Sequence, residues 1–168
     1  MPAPVTYRGM SLVIPDNDSE WIEFYAHARA HRLMMRKCSA CGLMRYPPTH
    51  ACPWCQELGW TWQEVSGRGT IHSYEVVMHA IQPGFKEITP YAVVLVDLDE
   101  QRGQPTPDEA LRVIANLVKP DFTAEADANV AIGKRVRVVF QDLADHLALP
   151  QFTLSDEPPE GRVWRLPE

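Results

Sequence analysis

Two cysteine pairs constrain this chain more than any other feature in it. Cys38-Ser39-Ala40-Cys41 and Cys52-Pro53-Trp54-Cys55 are C-x-x-C knuckles separated by ten residues. Two short loops of this kind bring four thiolates into a tetrahedral set, the arrangement zinc prefers. Gly42 follows the second cysteine of the first knuckle and allows a tight turn there. Four sulfur ligands close the coordination sphere and leave no position for a substrate water, so the metal is expected to be structural. A rubredoxin-type iron centre uses the same ligand set and stays open at this point. Two disulfides need an oxidising compartment. A redox C-x-x-C normally stands singly near a βαβ pattern, which this chain lacks.

The metal site is not needed to staple a small fold, because 168 residues are enough for a hydrophobic core. That length suits about one domain with an appendage. The formal net charge is −6, a poor match for a general nucleic-acid binder. Met1 to Met10 has no apolar core of the signal-peptide kind. The longest apolar run, Ala92 to Leu98, is interrupted by Asp97 and is far short of the roughly 20 residues that span a bilayer. The cytoplasm is therefore the expected compartment.

Periodicity divides the chain into four parts: 1–36, an irregular segment and helix; 37–59, the ribbon; 60–152, a β domain; and 153–168, an extended tail. Asn17 and Glu20 have capping-box spacing. Trp21, Phe24, Tyr25, Ala28 and then Met35 recur at helical spacing, as an apolar stripe to be packed on the protein's own body or on a partner. Strands are expected at Trp60–Ser66, Thr70–Met78, Tyr91–Leu98, Leu111–Val118 and Arg135–Asp142, with a helix or helical turn within Asp121 to Ile132. Five strands with an insertion between the fourth and fifth suit a Greek-key barrel of the OB type, with a sandwich as the alternative. The fold class is thus mainly β: an N-terminal helix, a zinc ribbon and a C-terminal OB-fold barrel. Trp164 and Leu166 in the tail have either this chain or a partner as their seat.

Charge is unevenly spread. Arg29, Arg32, Arg36, Lys37 and Arg45 lie between Phe24 and Gln56, a window with no Asp or Glu. Part of this set offsets the formal −2 of a four-thiolate zinc centre, and the rest is available to an anion such as a phosphate-bearing cofactor. No catalytic constellation stands out. The cysteines are taken by metal, and none of His27, His31, His50, His72, His79 and His146 sits in a motif with a nucleophile. Gly67-Arg68-Gly69 is a hairpin turn rather than a phosphate loop.

Several ordered stretches resemble a known family. They are His31-Arg32-Leu33 leading into Cys38-Ser39-Ala40-Cys41-Gly42, Arg45-Tyr46-Pro47-Pro48, Cys52-Pro53-Trp54-Cys55, Glu64 to Tyr74, Pro90 to Leu98, and Ile132-Gly133 with Val136 and Val138. Over roughly Trp21 to Phe152 the chain resembles the DUF35 proteins, in which a rubredoxin-like zinc ribbon is joined to an OB-fold. The family is described as acyl-CoA-associated. Thr49 stands where the family often has Arg, and the tail lies outside the likeness.

The resemblance implies a non-catalytic accessory subunit that docks on a thiolase-like or hydratase-like enzyme and helps form its channel for the CoA thioester. Arg36, Arg45, Tyr46, Phe85 and Tyr91 are the candidate contacts for CoA or partner, with the loop Pro83 to Thr89 as a candidate channel lining. The rival from another class is a single-stranded nucleic-acid binder using Trp60, Trp62 and Tyr74 as stacking platforms. A free-standing enzyme is the third possibility.

Overall fold

The computed structural model describes residues 4–12 and 18–165. The N-terminal stretch is not irregular throughout: β1 (Val5–Tyr7) and β2 (Met10–Leu12) form an antiparallel hairpin. Its turn residues Arg8 and Gly9 both have positive φ, 50° and 73°, as a two-residue hairpin turn requires. Helix α1 follows (Ser19–Arg29), and its N-cap is Asp18, whose side chain accepts from the Trp21 N–H. Asn17, the expected cap, lies outside the described residues. The helix stops at His31, a non-glycine residue at φ 56°. Its imidazole lies flat on Phe140 and hydrogen-bonds Asp142 Oδ1 at 2.9 Å, interactions that offset a conformation costing about 1–2 kcal/mol. Met35, assigned to the helical stripe by its spacing, is instead on a strand.

That strand is β3 (Leu33–Cys38), which pairs with β4 (Met44–Arg45) on one side and β5 (Trp60–Val65) on the other. Trp60–Val65, expected as the first barrel strand, therefore belongs to the ribbon sheet. The barrel is closed by β6 (Arg68–Val77), β7 (Tyr91–Leu98), β8 (Arg112–Leu117), β9 (Arg135–Ala144) and β10 (Leu147–Leu154) in the order β10-β8-β7-β6-β9. Its fifth strand, β10, was hidden in the sequence by Pro150, which carries no ladder donor. The parallel contact of β10 with β8 is confined to Phe152↔Leu117, so Pro150 interrupts nothing on that side. The segment expected to hold a helical turn before β9 has a short 3-10 turn, Asp127–Asn129.

Strict alternation on β7 buries Ala92, Val94, Val96 and Leu98, the period-2 signature of a strand with one face on a core. Ile71, Leu117, Val136 and Phe152 meet them from the other strands. Gly69 lets β6 cross β7 closely, since a Cβ there would stand 2.5 Å from the Asp97 carbonyl oxygen. Ribbon and barrel are also joined by Gln101, at the end of a 3-10 turn (Asp99–Gln101). Its buried amide accepts from the Met44 N–H at 2.6 Å and donates to the Met44 carbonyl at 3.0 Å.

The expected extended tail returns to its own chain. Trp164 makes a two-bond bridge with Ile132 over Gly133, although its ring remains partly exposed. Glu157 reaches Arg68 and Arg135, and Glu160 reaches Arg102. Leu166 lies outside the described residues. No described helix is long and apolar enough to cross a membrane.

Candidate metal centre and ligand groove

The two knuckles are built alike. Cys38 N–H donates to the Leu43 carbonyl and Gly42 N–H to that of Cys38. In the same way, Cys52 N–H donates to Glu57 and Gln56 N–H to Cys52. The residue after the second cysteine is left-handed in both, Gly42 at φ 75° and Gln56 at φ 65°. The turns place all four Sγ atoms within 4.8 Å of one another. Cys38–Cys55 and Cys41–Cys52 are each 3.6 Å apart, far too long for disulfides. A tetrahedron with metal–sulfur bonds of about 2.3 Å has edges of about 3.8 Å.

The thiols respond to this crowding. Backbone N–H groups of Cys41 and Ala40 pull the Cys38 thiol down to about 6. At Cys41 the Leu43 N–H acts in the same direction, but burial and the other three sulfurs push that thiol up to about 12. Four thiolates at this spacing repel one another and call for a cation, so Cys38, Cys41, Cys52 and Cys55 fit a structural metal.

The second feature is a groove of about 650 Å³ between α1 and the barrel. Phe24 and Ala28 of the helical stripe are buried, and Trp21, Phe24 and Tyr25 line the groove. Tyr46 packs on Trp21 and Phe24 at ring distances of 5.9 and 5.8 Å. The opposite wall comes from β8 and β10, notably Ile114, Leu149 and Gln151. Burial pushes the Tyr46 hydroxyl up to about 12 and raises that of Tyr25, so both are neutral donors. Among the described residues, Asp18 is the one charged residue in the lining.

Of the expected contact residues, Tyr46 and Phe85 are brought to this groove, with Tyr91 packed behind Phe85 at 5.3 Å. Phe85 sits on the 3-10 turn Pro83–Ile88, half-buried between Tyr7 and Tyr91. Arg36 and Arg45 are not brought there. Both are almost fully buried in the ribbon. Arg36 lies 3.7 Å over the Trp60 ring and 3.6 Å from Glu20, while burial lowers its pKa. Arg45 donates to the carbonyls of Thr49 and His50. Arg29 and Arg32 pair with Asp142 and Glu64. Three of the five basic residues are therefore paired with acids from outside the window, which a linear window cannot reveal.

The proposed stacking platforms are similarly engaged. Arg36 covers Trp60, while Trp62 donates to Glu23 and meets His27 edge-on. His31–Asp142 and His72–Asp97 are hydrogen-bonded pairs, but neither lines the groove. Sequence reasoning missed the β10 wall with the Gln151 amide because that strand was not recognised, and Asn116, on the expected strand Leu111–Val118, carried no signal of its own.

A rubredoxin-like ribbon with four clustered thiols, set against a closed five-stranded OB barrel, defines a ribbon–OB protein. Two family models match it accordingly: the ChsH2 rubredoxin-like zinc ribbon domain over residues 26–60 and the ChsH2 C-terminal OB-fold domain over residues 62–141. A DUF35 domain-containing scaffold protein of Methanothermobacter thermautotrophicus is 30% identical over 129 residues, 76% of this chain and 86% of the relative. The chain belongs to the DUF35 family.

It is also 32% identical over 149 residues to a probable enoyl-CoA hydratase alpha subunit of Thermomonospora curvata, covering 89% of this chain but 40% of the relative. The chain thus spans about two fifths of that protein's length. Among solved structures, the Ltp2-ChsH2(DUF35) aldolase contains a chain 31% identical with a TM-score of 0.64, covering 85% of this chain and 98% of that one. A DUF35 protein of unknown function from Sulfolobus solfataricus shares the fold at 15% identity and a TM-score of 0.51, with 79% and 83% covered.

Proposed function

We propose that this chain is a non-catalytic accessory subunit of an acyl-CoA enzyme, docking on a thiolase-like partner, thiolase or aldolase, and helping to form its CoA thioester channel. The observation that carries this reading is the groove. It is open, walled by aromatic and aliphatic side chains, and large enough for a small-molecule ligand. Among the described residues its polar groups are tyrosine hydroxyls, those of Tyr25 and Tyr46 held neutral, and amides, apart from Asp18, which suits an acyl or amide-bearing arm rather than the phosphates. It contains no nucleophile–base pair among the described residues, so the chemistry falls to the partner.

The relatives' names support the assembly: one is an aldolase containing a DUF35 chain and another a hydratase alpha subunit. Tyr46, Phe85 and Tyr91 belong to the channel in this reading. Met78 and Ile81, which stand in solvent before the Phe85 turn, belong to the docking face. Arg36 and Arg45 reach CoA or partner only if the ribbon opens. The ribbon holds zinc, which stabilises its loops without taking part in turnover, and the assembly works in the cytoplasm. Helix, ribbon, barrel and tail are the units of this design.

The test is reconstitution. The untagged chain is expected to co-purify with a thiolase-like or hydratase-like chain, and acyl-CoA turnover is expected only in the mixture. Turnover by the isolated chain would overturn the reading. Oligonucleotide binding that is tight and weakens steeply with salt would also overturn it, in favour of the nucleic-acid reading.

A further inference from the structure

A cluster of three arginines and three carboxylates lies away from the groove lining and the thiols, where the tail meets the barrel. Arg135 is the first residue of β9, and its side chain is 3% exposed. One edge of its guanidinium is held by Asp99, with NH1 2.7 Å from Oδ1 and NH2 2.5 Å from Oδ2. Its other edge, Nε and NH2, donates to Glu157 Oε2 at 3.1 and 2.9 Å. Arg68 donates to the second oxygen of Glu157 at 3.4 Å. Arg102 donates to Glu160, to Asp99 and to Thr70 Oγ1, while its buried Nε has no partner among the described residues. Asp99 offsets one of the three positive charges. The two tail carboxylates offset the other two.

The two sides of this contact are unequal. The arginines stand on β6, on β9 and on the loop after the 3-10 turn, and Arg135 is fixed by two partners besides the tail. The tail is held by the partly exposed pairs Arg68–Glu157 and Arg102–Glu160, of a kind that contributes about 0–1 kcal/mol each, by the pair of Glu157 with the buried Arg135, and by the backbone bridge of Trp164 with Ile132. Glu160 is 64% exposed, and the connecting segment is Pro158-Pro159-Glu160-Gly161. Departure of the tail with nothing in its place leaves a buried guanidinium edge unpaired, which is costly. Exchange for another anion leaves no such deficit. A phosphate monoester carries a charge near −2 and three acceptor oxygens, matching the charge of both tail carboxylates.

We propose that Arg68, Arg102 and Arg135 form a binding site for a phosphate monoester, with Glu157 and Glu160 of the chain's own tail as an intramolecular competitor that the ligand displaces. The tail lies beyond residues 26–141, which the family models span. The proposal holds whether or not the chain docks on an acyl-CoA enzyme.

The experiment is titration of the full-length chain with inorganic phosphate and with adenosine 3′,5′-bisphosphate, at low salt. The double variant E157Q/E160Q keeps acceptor oxygens but no charge, and is expected to bind at least about ten-fold more tightly than wild type. Adding Arg68→Ala to it is expected to reverse the gain. Tighter binding of the bisphosphate than of phosphate identifies an ester, whereas equal binding identifies the free ion. Equal affinity of wild type and double variant overturns the proposal, as does a gain that survives Arg68→Ala. A second reading uses wild type alone: ligand is expected to accelerate tryptic release of Val163–Glu168. Binding with an unchanged release rate overturns displacement.

Discussion

Gln101 joins ribbon to barrel through two hydrogen bonds to one residue, so its removal tests whether the two parts share their stability. In Gln101→Ala the Met44 N–H and carbonyl lose their side-chain partners inside a site where Gln101 is 3% exposed. Two ordinary hydrogen bonds contribute about 0.5–1.5 kcal/mol each, and a buried group left unsatisfied costs about 1–3 kcal/mol. Partial entry of water reduces the sum, so a loss of about 2–4 kcal/mol is expected. Urea denaturation with an unchanged m-value measures it, and hydrogen exchange at the Met44 amide locates it.

Gln101→Glu sharpens the test. A neutral carboxylic acid can reproduce both bonds, accepting from Met44 N–H and donating to its carbonyl. The carboxylate cannot donate. Folding therefore raises the pKa of this Glu above its unfolded value of about 4.3. The contribution of the acid form is complete below about pH 4.3 and is lost as pH rises through the folded value. Relative to wild type, Gln101→Glu should recover on acidification. A difference that is flat with pH, or Met44 exchange unchanged in Gln101→Ala, would refute the coupling.

Three further outcomes follow from the packing and the charges. Phe152→Ala empties a 1%-exposed site at the β8–β10 closure and should cost about 3–5 kcal/mol by calorimetry or denaturant titration. Asp99 is held below the usual carboxylate range chiefly by the Arg135 hydrogen bond. Its stabilisation is present above the unfolded value of about 3.9 and is lost as pH falls through the folded one. Asp99→Asn should lose about 2–4 kcal/mol at neutral pH and flatten that acid limb, as read by thermal midpoints across pH. Cys52→Ser should lower the metal content from about one per chain to less than about half, and speed exchange in β3, β4 and β5 while β7 stays protected. Retained metal would contradict the four-thiol site.

The two metal knuckles were legible because their cysteines lie close together in sequence and their turns need few distant contacts. The barrel was legible as a class, through the alternation that β7 shows most clearly. Pairing partners were not. Trp60–Val65 looks like any barrel strand, and its place beside β3 depends on Met35 and Arg36 presenting the matching edge. The ion pairing of the basic window was not legible for a similar reason. Arg29, Arg32 and Arg36 meet acids from up to 113 residues away, at Asp142, Glu64 and Glu20, and local charge carries no record of those meetings. The groove depends on two elements whose meeting is invisible in one dimension, a helix whose stripe serves both core and groove and a strand disguised by Pro150.

Strand β5 ends at Val65 and β6 begins at Arg68, leaving Ser66 and Gly67 as the sole covalent span between the ribbon sheet and the barrel on that side. Gly67 is left-handed at φ 71°, and a Cβ there would stand 2.2 Å from Val138 Cγ1. Its N–H-to-carbonyl environment is closed by Val138, whose N–H donates to the Gly67 carbonyl at 2.8 Å. So short and clamped a splice makes a poor hinge and a good crank. Torque applied to the metal-bearing arm passes into the barrel wall instead of dissipating in a flexible link. Whatever grips the ribbon thereby acts on the barrel through two residues and the Val138 contact rather than through a long flexible link.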